Sequence, residues 1–166
     1  MKFDPKIHHR HSIRLQGYDY SQSGAYYVTI VTHGRECVFG EIVNGKMILN
    51  QFGQIAQRAW FDLPKHYSHI VLGAFCIMPN HVHAVIILID VVAINRHPLS
   101  EIVRAFKSFS ARRINELRKT QGIPVWQRNY YEHIIRNDDE HNRIHLYIEA
   151  NIDNWSTDDE NPIKTK

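Results

Sequence analysis

The most apolar stretch of the chain, CIMPNHVHAVIIL at residues 76–88, constrains the fold more than any other feature. It joins two runs rich in β-branched residues, HIVLGAFCIMP at 69–79 and HVHAVIILI at 81–89, which meet around Pro79 and Asn80. Runs of this kind are typical of β-strands, and a Pro-Asn pair is typical of a tight turn. The pattern therefore predicts two adjacent strands at the centre of a sheet.

The other predicted elements alternate between strands and helices. Runs of β-branched and aromatic residues predict strands, the Asn44-Gly45 pair predicts a hairpin turn, and apolar residues three or four apart predict helices. Pro64 is expected to end the first helix. The elements are a strand at 25–33, a hairpin at 37–49, a helix at 50–67, a helix at 97–120, a strand at 130–136 and a helix from Asn137 to Asn151.

This order of elements indicates the fold class. With the hairpin at 37–49 treated as an insertion, the order is βαββαβ with one further helix at the end. The simplest packing is an α+β, ferredoxin-like fold, in which an antiparallel sheet carries helices on one face. We expect one domain over residues 1–155, with a basic N-terminal segment, and a flexible tail over 156–166. Because this fold hosts many functions, the function has to be argued from a site.

Charge and cysteine content narrow the class of protein. The formal net charge of +3 permits a nucleic-acid partner without requiring one. The two cysteines, Cys37 and Cys76, form neither a CxxC pair nor a disulfide framework, which favours a reducing, cytoplasmic setting. The N-terminal residues lack the apolar core of a secretion signal, and we expect no membrane-spanning segment.

Two histidines stand inside the apolar run at 81–89. Because alternate residues of a strand point to the same side, His81 and His83 face one way and Val82 faces the other. Two imidazoles on one face can share a divalent ion, although two polar residues satisfied by neighbours or water would give the same pattern. Neither cysteine lies at a recognisable zinc-ligand spacing, and the HExxH pattern of metalloproteases is absent.

The last predicted helix offers residues that could complete such a site. Tyr147 and Asn151 are four residues apart, so they lie on one helical face about one turn from each other. The amide oxygen of Asn151 suits a hard metal such as Mg²⁺ or Mn²⁺. A phenol beside a metal that polarises a phosphate can act as a nucleophile. Packing of the tyrosine and capping by the asparagine would explain the same residues without any chemistry.

Four sequence blocks together resemble a known family. The blocks MPNHVHAVI, LSEIVRAFKSFSARRIN, VWQRNYYEHIIRN and NRIHLYIEAN are similar, in order and spacing, to the single-tyrosine transposases of the HUH superfamily. The branch that the chain most resembles is that of the REP-associated tyrosine transposases, and the resemblance covers roughly residues 10–155. An HVH motif alone is a weak signal, but the four blocks in succession are specific.

The resemblance assigns roles to individual residues. It implies that His81 and His83 bind a divalent metal, Mg²⁺ or Mn²⁺. It implies that Tyr147 is the catalytic nucleophile and that Asn151, one turn later, completes the metal site. One position departs from the family pattern, since Asn151 is followed by Ile152 where many relatives have proline.

The implied reaction is metal-dependent cleavage and rejoining of single-stranded DNA. Tyr147 would attack a backbone phosphate beside a hairpin, giving a 5′-phosphotyrosine link and a free 3′-OH, and another 3′-OH would reverse the step. Tyr130 and Tyr131 are rival nucleophiles, but the resemblance places them in the strand block before the nucleophile helix. The implied partners are single-stranded or hairpin DNA, and the resemblance permits a monomer or a homodimer.

Extruded DNA needs cations for its phosphates and aromatic rings for its bases. A solvated helix face and a disordered basic leader would account for the basic residues equally well on charge alone, and the resemblance favours DNA contact. The expected DNA-binding residues are Arg10, Arg14, Tyr18, Arg104, Lys107, Arg112, Arg128 and Arg136.

Two other functions compete with a transposase. The first is a non-catalytic protein that binds hairpin DNA on the same fold and keeps the histidines without turnover. The second is a different metal phosphoesterase, in which Tyr147 only packs. Covalent attachment of DNA to the protein distinguishes the transposase from both alternatives.

Overall fold

The computed structural model describes residues 17–89 and 97–163. The helices and strands alternate along the chain much as the sequence patterns predict. In chain order they are β1 (Gly24–Val31), β2 (Gly40–Val43), β3 (Lys46–Leu49), α1 (Gln51–Phe61), α2 (Leu63–His66), β4 (Ile70–Ile77), β5 (His81–Leu88), α3 (Leu99–Leu117), β6 (Tyr131–Ile135) and α4 (Asp138–Glu149).

Four strands form one antiparallel sheet in the order β4-β5-β1-β6. β4 and β5 pair through the turn at Pro79 and Asn80, where the Met78 amide donates to the His81 carbonyl at 2.8 Å. The prediction that both strands lie at the centre of the sheet is confirmed for β5 and wrong for β4, which is an edge strand of this sheet. β5 also pairs with β1, so it is paired along both sides. The ferredoxin-like α+β fold predicted from the sequence is confirmed.

One face of the sheet packs against α1 and α3. Val82, Ala84 and Ile86 of β5 point to this face and are completely buried. Trp60 from α1 and Phe106 from α3 meet above them with ring centroids 5.2 Å apart. Each large apolar side chain buried in this way contributes about 1.5–3 kcal/mol to stability. This core makes the sheet a rigid support for whatever lies on its other face.

The C-terminal helix α4 packs on the opposite face of the sheet. Its Ile148 is 1% exposed and packs in a second apolar cluster with Tyr27, Cys76 and Val85. The alternation of β5 puts Val85 on the same side as His81 and His83. The helix with Tyr147 therefore covers the face from which the two histidines project, a placement that the sequence patterns had not specified.

Local hydrogen bonds explain where several elements begin and end. The side chain of Asn50 accepts from the amides of Phe52 and Gly53 and caps the start of α1. The predicted hairpin turn is confirmed, since Asn44 and Gly45 adopt φ values of 50° and 72° between β2 and β3. Pro64 does not end the first helix as expected. It occupies the first turn of α2, where a missing amide hydrogen is tolerated.

The segment after α4 differs from the flexible tail expected over 156–166. Residues Trp155–Thr157 form a short 3-10 helix, and the chain then returns to the turn between β4 and β5. There the side-chain amide of Asn80 donates to the backbone carbonyl of Glu160 at 2.7 Å. Arg35 Nε lies 3.0 Å from a carboxylate oxygen of Glu160. The described part of this segment is therefore held against the sheet.

Among the described residues, no helix is both long enough and apolar enough to cross a membrane.

Candidate active site

His81 and His83 form the centre of the candidate site. They project from the same face of β5, as predicted, and this face is the one that α4 covers; they are 0% and 3% exposed. Their Nε2 atoms lie 2.9 Å apart, and their rings are nearly perpendicular, at 78°. The two side chains therefore direct one nitrogen each toward a common point.

The other nitrogen of each imidazole meets a polar neighbour. His81 Nδ1 lies 2.8 Å from Oδ1 of Asn80. His83 Nδ1 lies 2.7 Å from the hydroxyl of Tyr27 and 2.9 Å from that of Thr29. Contacts of this type fix the orientation of imidazoles that bind metals.

Burial keeps both imidazoles neutral at physiological pH. It lowers the pKa of His81 to about 4. Burial, followed by the nearby His81, lowers the pKa of His83 to about 3, although Asp158 and Asn151 oppose this shift. A neutral imidazole has a lone pair on one ring nitrogen, which is the form that binds metals.

Asp158 completes a cluster that the sequence patterns did not reveal. One of its carboxylate oxygens lies 3.6 Å from His81 Nε2. Ligand atoms of His81, His83 and Asp158 all lie within 4.8 Å of one another. The only sequence signal was the acidic composition of STDDEN, which is equally typical of a solvated tail.

The geometry of this cluster fits a divalent metal. Cis ligands of an octahedral ion with bonds of 2.0–2.1 Å lie about 3 Å apart, which matches the separation of 2.9 Å between the two Nε2 atoms. Two imidazoles and one carboxylate also form a donor set found in octahedral metal sites with open positions. The group of His81, His83 and Asp158 could therefore bind a metal ion.

Asn151, the ligand expected from the sequence, lies beside this cluster. It is 2% exposed and follows the end of α4. Its Nδ2 donates to the backbone carbonyl of Tyr147 at 3.3 Å, and its side chain also hydrogen-bonds His83. With Nδ2 bound to the carbonyl of Tyr147, Oδ1 is the Asn151 atom available to the site.

Tyr147 of α4 places an exposed phenol close to the histidines. Its ring centroid lies 5.5 Å from that of His83 and 6.3 Å from that of Tyr27. The side chain is 50% exposed and lines a pocket of about 570 Å³ that also includes Asn151 and Asp158. A phenol in this position is accessible to a phosphate bound in the pocket.

The two rival tyrosines occupy different positions. Tyr131 of β6 is 44% exposed and lines the same pocket as Tyr147. Tyr130 lies instead against the ammonium of Lys107, which is 5.3 Å from the centre of its ring. Tyr131 therefore remains a structural rival to Tyr147, whereas Tyr130 contacts the α3 side of the molecule.

The predicted DNA-binding residues are spread over the molecule. Arg10 and Arg14 lie outside the described residues. Tyr18 packs edge-on against Tyr20, with ring centroids 5.0 Å apart, and its hydroxyl lies 3.3 Å from that of Tyr26. Tyr18 is therefore part of an aromatic cluster at the start of β1.

Four of the predicted DNA-binding arginines are exposed. Arg104 and Arg112 lie on α3, across the sheet from the histidines. Arg128 precedes the edge strand β6 and Arg136 follows it. The structure does not bring the four together into one basic patch around the pocket.

Lys107 makes contacts different from those expected. Its ammonium donates to the backbone carbonyls of Gln127 at 3.0 Å, Arg128 at 3.4 Å and Asn129 at 3.0 Å. Burial lowers the pKa of Lys107 to about 8. An ammonium has three hydrogens, and here each can be directed at a carbonyl. Lys107 therefore connects α3 to the segment before β6.

Comparisons with known proteins show the family of the chain. The family model described as "Transposase IS200 like" matches residues 23–151. A Haemophilus influenzae protein, described as uncharacterised, is 36% identical in an alignment 177 residues long, and the alignment covers 95% of this chain and 96% of that protein.

Two solved structures share the fold. A REP-associated tyrosine transposase bound to a REP hairpin matches with a TM-score of 0.61 and 17% identity, over 86% of this chain and 72% of that chain. A candidate transposase from Deinococcus radiodurans matches with a TM-score of 0.50 and 21% identity, over 83% of this chain and 96% of that chain. The family match covers the histidines, Tyr147 and Asn151. The chain therefore belongs to the family of IS200-like transposases, which are DNA-processing enzymes of transposition.

Proposed function

We propose that this transposase cleaves and rejoins single-stranded DNA beside a folded hairpin, with Tyr147 as the nucleophile. The observation that carries the proposal is the position of the Tyr147 ring, 5.5 Å from that of His83, in a pocket shared with Asn151 and Asp158. An exposed phenol beside a group that could bind a metal has the arrangement needed for covalent catalysis on a phosphate.

Residues of the site other than Tyr147 would bind the metal. His81, His83 and Asp158 would hold a divalent metal, Mg²⁺ or Mn²⁺, with the amide oxygen of Asn151 beside them. A bound metal of this kind supplies a Lewis acid that stabilises charge on the phosphate oxygens. The described residues that line the pocket include three successive carboxylates, Asp158 to Glu160, and neither Lys nor Arg. This local negative charge favours binding of a cation.

The chemical step forms one bond and breaks another. The phenolic oxygen of Tyr147 attacks the phosphorus, and the bond from phosphorus to the 3′-oxygen breaks. The phenolic proton passes to solvent, and the departing 3′-oxygen takes a proton from solvent. The products are a 5′-phosphotyrosine and a free 3′-OH. Attack by the 3′-OH of another strand on this phosphotyrosine restores the phenol and joins the strands, so no ATP is consumed.

We propose hairpin DNA as the substrate, by analogy with the REP hairpin bound to the structural relative. Arg104, Arg112, Arg128 and Arg136 are exposed cations that can contact phosphates on the body of a hairpin. None of them lines the pocket, which suits a substrate that extends beyond the cleavage site. Arg10 and Arg14 are proposed to contact the DNA near the hairpin.

A single copy of the chain contains all the residues of this proposed site. Tyr147, Asn151 and the histidines lie together within one protomer, so a monomer could act on its own. We propose residues 1–155 as the catalytic domain, with Asp158 contributing from the segment that follows. The cysteines are both free, consistent with action in the cytoplasm.

The proposal is tested with the full chain, Mn²⁺ and single-stranded hairpins taken from palindromic DNA beside its gene. The expected product is a protein–DNA adduct that survives denaturation. Tyr147→Phe should abolish the adduct and leave hairpin binding within a few-fold of wild type, and Tyr131→Phe should retain the adduct.

Three other outcomes would contradict the proposal. An adduct formed by Tyr147→Phe would mean that another residue is the nucleophile. Hairpin binding without any adduct in the wild type would indicate a binding protein. Hydrolysis that survives Tyr147→Phe would indicate a metal phosphoesterase.

A further inference from the structure

Asn80 lies in the turn between β4 and β5, directly before His81. It is 0% exposed although its side chain ends in a polar amide group. A buried amide is costly unless its donors and acceptor all find partners. The partners of Asn80 come from three separate parts of the chain.

The two amide hydrogens of Asn80 determine which way the side chain points. Nδ2 donates to the backbone carbonyl of Arg35 at 2.9 Å and to that of Glu160 at 2.7 Å. Because carbonyls only accept, an inverted amide would bring oxygen against oxygen at both contacts. Oδ1 is therefore the atom that faces His81 Nδ1, 2.8 Å away.

We propose that Asn80 is a positioning residue for the metal site, because its Oδ1 holds the proton of the His81 imidazole on Nδ1 and leaves the lone pair on Nε2. The inference deepens the proposed function and rests on it for the role of the metal. An amide oxygen accepts and never donates, so a neutral His81 must place its hydrogen on Nδ1. Its Nε2 then points an unshared pair at the site occupied by His83 and Asp158.

The contacts of His83 show why Asn80 is decisive. The partners of His83 Nδ1 are the hydroxyls of Tyr27 and Thr29. A hydroxyl can donate or accept, so either tautomer of His83 is accommodated. In the absence of a metal, His83 can carry its proton on Nε2 and donate to His81 Nε2 at 2.9 Å. His81 cannot adopt the other tautomer in this way while the Asn80 side chain keeps its orientation.

The second amide contact links Asn80 to the carboxylate of the site. Glu160, whose carbonyl receives the Asn80 hydrogen, is two residues beyond Asp158. The same side chain therefore orients His81 and holds the segment that carries Asp158. Loss of Asn80 affects two members of the candidate metal cluster at once.

The experiment compares four full-length proteins without DNA: the wild type, Asn80→Leu, Asn80→Asp and Asn115→Leu. Leucine has a similar volume and no hydrogen bonds, whereas aspartate keeps an oxygen that can accept from His81. Asn115 is a matched control, because its amide also donates to a backbone carbonyl, that of Ile123 at 3.0 Å, but lies at the far end of α3.

The first readout is the tautomer of His81 in the metal-free protein at mildly alkaline pH. Long-range ¹H–¹⁵N correlations of ¹⁵N-labelled protein report which ring nitrogen carries the proton, and His81→Ala assigns the signals. The expected result is a proton on Nδ1 in the wild type, Asn80→Asp and Asn115→Leu. In Asn80→Leu the proton should move wholly or partly to Nε2.

The second readout is Mn²⁺ affinity by calorimetry. Partners of metal-binding histidines typically change metal affinity by about 10–100-fold when they are lost, so Asn80→Leu should bind Mn²⁺ weaker by that factor. Asn115→Leu should bind like the wild type. A wild-type proton on Nε2 of His81 would overturn the proposal, as would wild-type tautomer and affinity in Asn80→Leu.

Two features keep the test decisive. If Asn80→Leu does not fold, the wild-type tautomer still decides the proposal, because a proton on Nδ1 of His81 supports it and a proton on Nε2 overturns it. The tautomer is read without DNA, so absence of a covalent adduct would contradict the proposed function while leaving the assignment of Asn80 standing.

Discussion

His81 and His83 are buried beside Asp158, in a place where an imidazolium would lose much of its hydration. Their neutral rings meet at two nitrogens 2.9 Å apart, and one carboxylate oxygen lies 3.6 Å from His81. At the scale of residues, the site thus brings together two imidazoles and one carboxylate that could bind a metal ion. The alternation of side chains along β5 explains why the two histidines share a face, but the carboxylate of Asp158 comes from 75 residues beyond His83 in the chain.

Asp158 is expected to contribute to metal binding more than its exposed neighbour. Asp158→Asn should weaken Mn²⁺ binding by about tenfold or more, because it removes the charge of a carboxylate that could bind the metal beside His81. Asp159→Asn makes the same charge change one residue away and should have a much smaller effect. Calorimetric titration of both variants measures the difference, and equal losses would show that only the general negative charge of the segment matters.

At the scale of elements, the position of α4 relative to the sheet sets the position of Tyr147. Glu140 in the first turn connects the helix to β6: its carboxylate lies 2.7 Å from His133 Nε2 and accepts from the Arg136 amide at 2.7 Å. Asn137 caps the same turn by accepting from the Glu140 amide. Two turns later, Ile148 packs into the sheet. The helix is therefore held at both ends.

Ile148→Ala is expected to destabilise the fold by about 2–5 kcal/mol, the usual cost of truncating a fully buried isoleucine. Leu146→Ala on the same helix provides a control, because Leu146 is 64% exposed and surface changes usually stay within about 0.5 kcal/mol. Urea unfolding of the two variants measures the difference. Similar losses for both would mean that α4 does not pack through Ile148.

Glu140→Gln is expected to lower stability in a pH-dependent manner. The Arg136 amide and then His133 lower the pKa of Glu140 in the folded protein. The stabilisation is therefore present above the unfolded pKa of about 4.3 and is lost as pH falls through the lowered pKa. Thermal unfolding at neutral and acidic pH should show a difference from wild type that disappears in acid. A difference that persists in acid would contradict this account.

Lys107 is expected to act on stability rather than on DNA. Lys107→Met leaves three carbonyls without their donor and should cost about 1–3 kcal/mol. Arg104→Gln on the same helix removes an exposed cation and should instead weaken hairpin binding and reduce its salt dependence. Unfolding curves and binding at several salt concentrations separate the two effects. Reduced salt dependence with unchanged stability in Lys107→Met would reinstate it as a phosphate contact.

At the scale of the whole molecule, sequence patterns predict the features that follow from the spacing of apolar residues within single strands and helices. The alternation in β5 fixes which way His81 and His83 face, and the strand and helix order gives the ferredoxin-like sheet. The side of the sheet that α4 covers depends on which of its residues finds an apolar partner, so it follows only from packing around Ile148. The segment that carries Asp158 is held near the site by isolated contacts, among them the hydrogen bond from Asn80 to Glu160 and the ion pair between Arg35 and Glu160, and such contacts leave no periodic signal in the sequence.

The central claim is that Tyr147 forms the covalent bond to DNA. Tyr131 is the alternative nucleophile, because it lines the same pocket. Digestion of the adduct between the wild-type protein and a hairpin substrate, followed by mass spectrometry of the peptides, locates the attached phosphonucleotide directly. The account predicts the modification on the peptide that contains Tyr147. A modification on the peptide that contains Tyr130 and Tyr131 would contradict it.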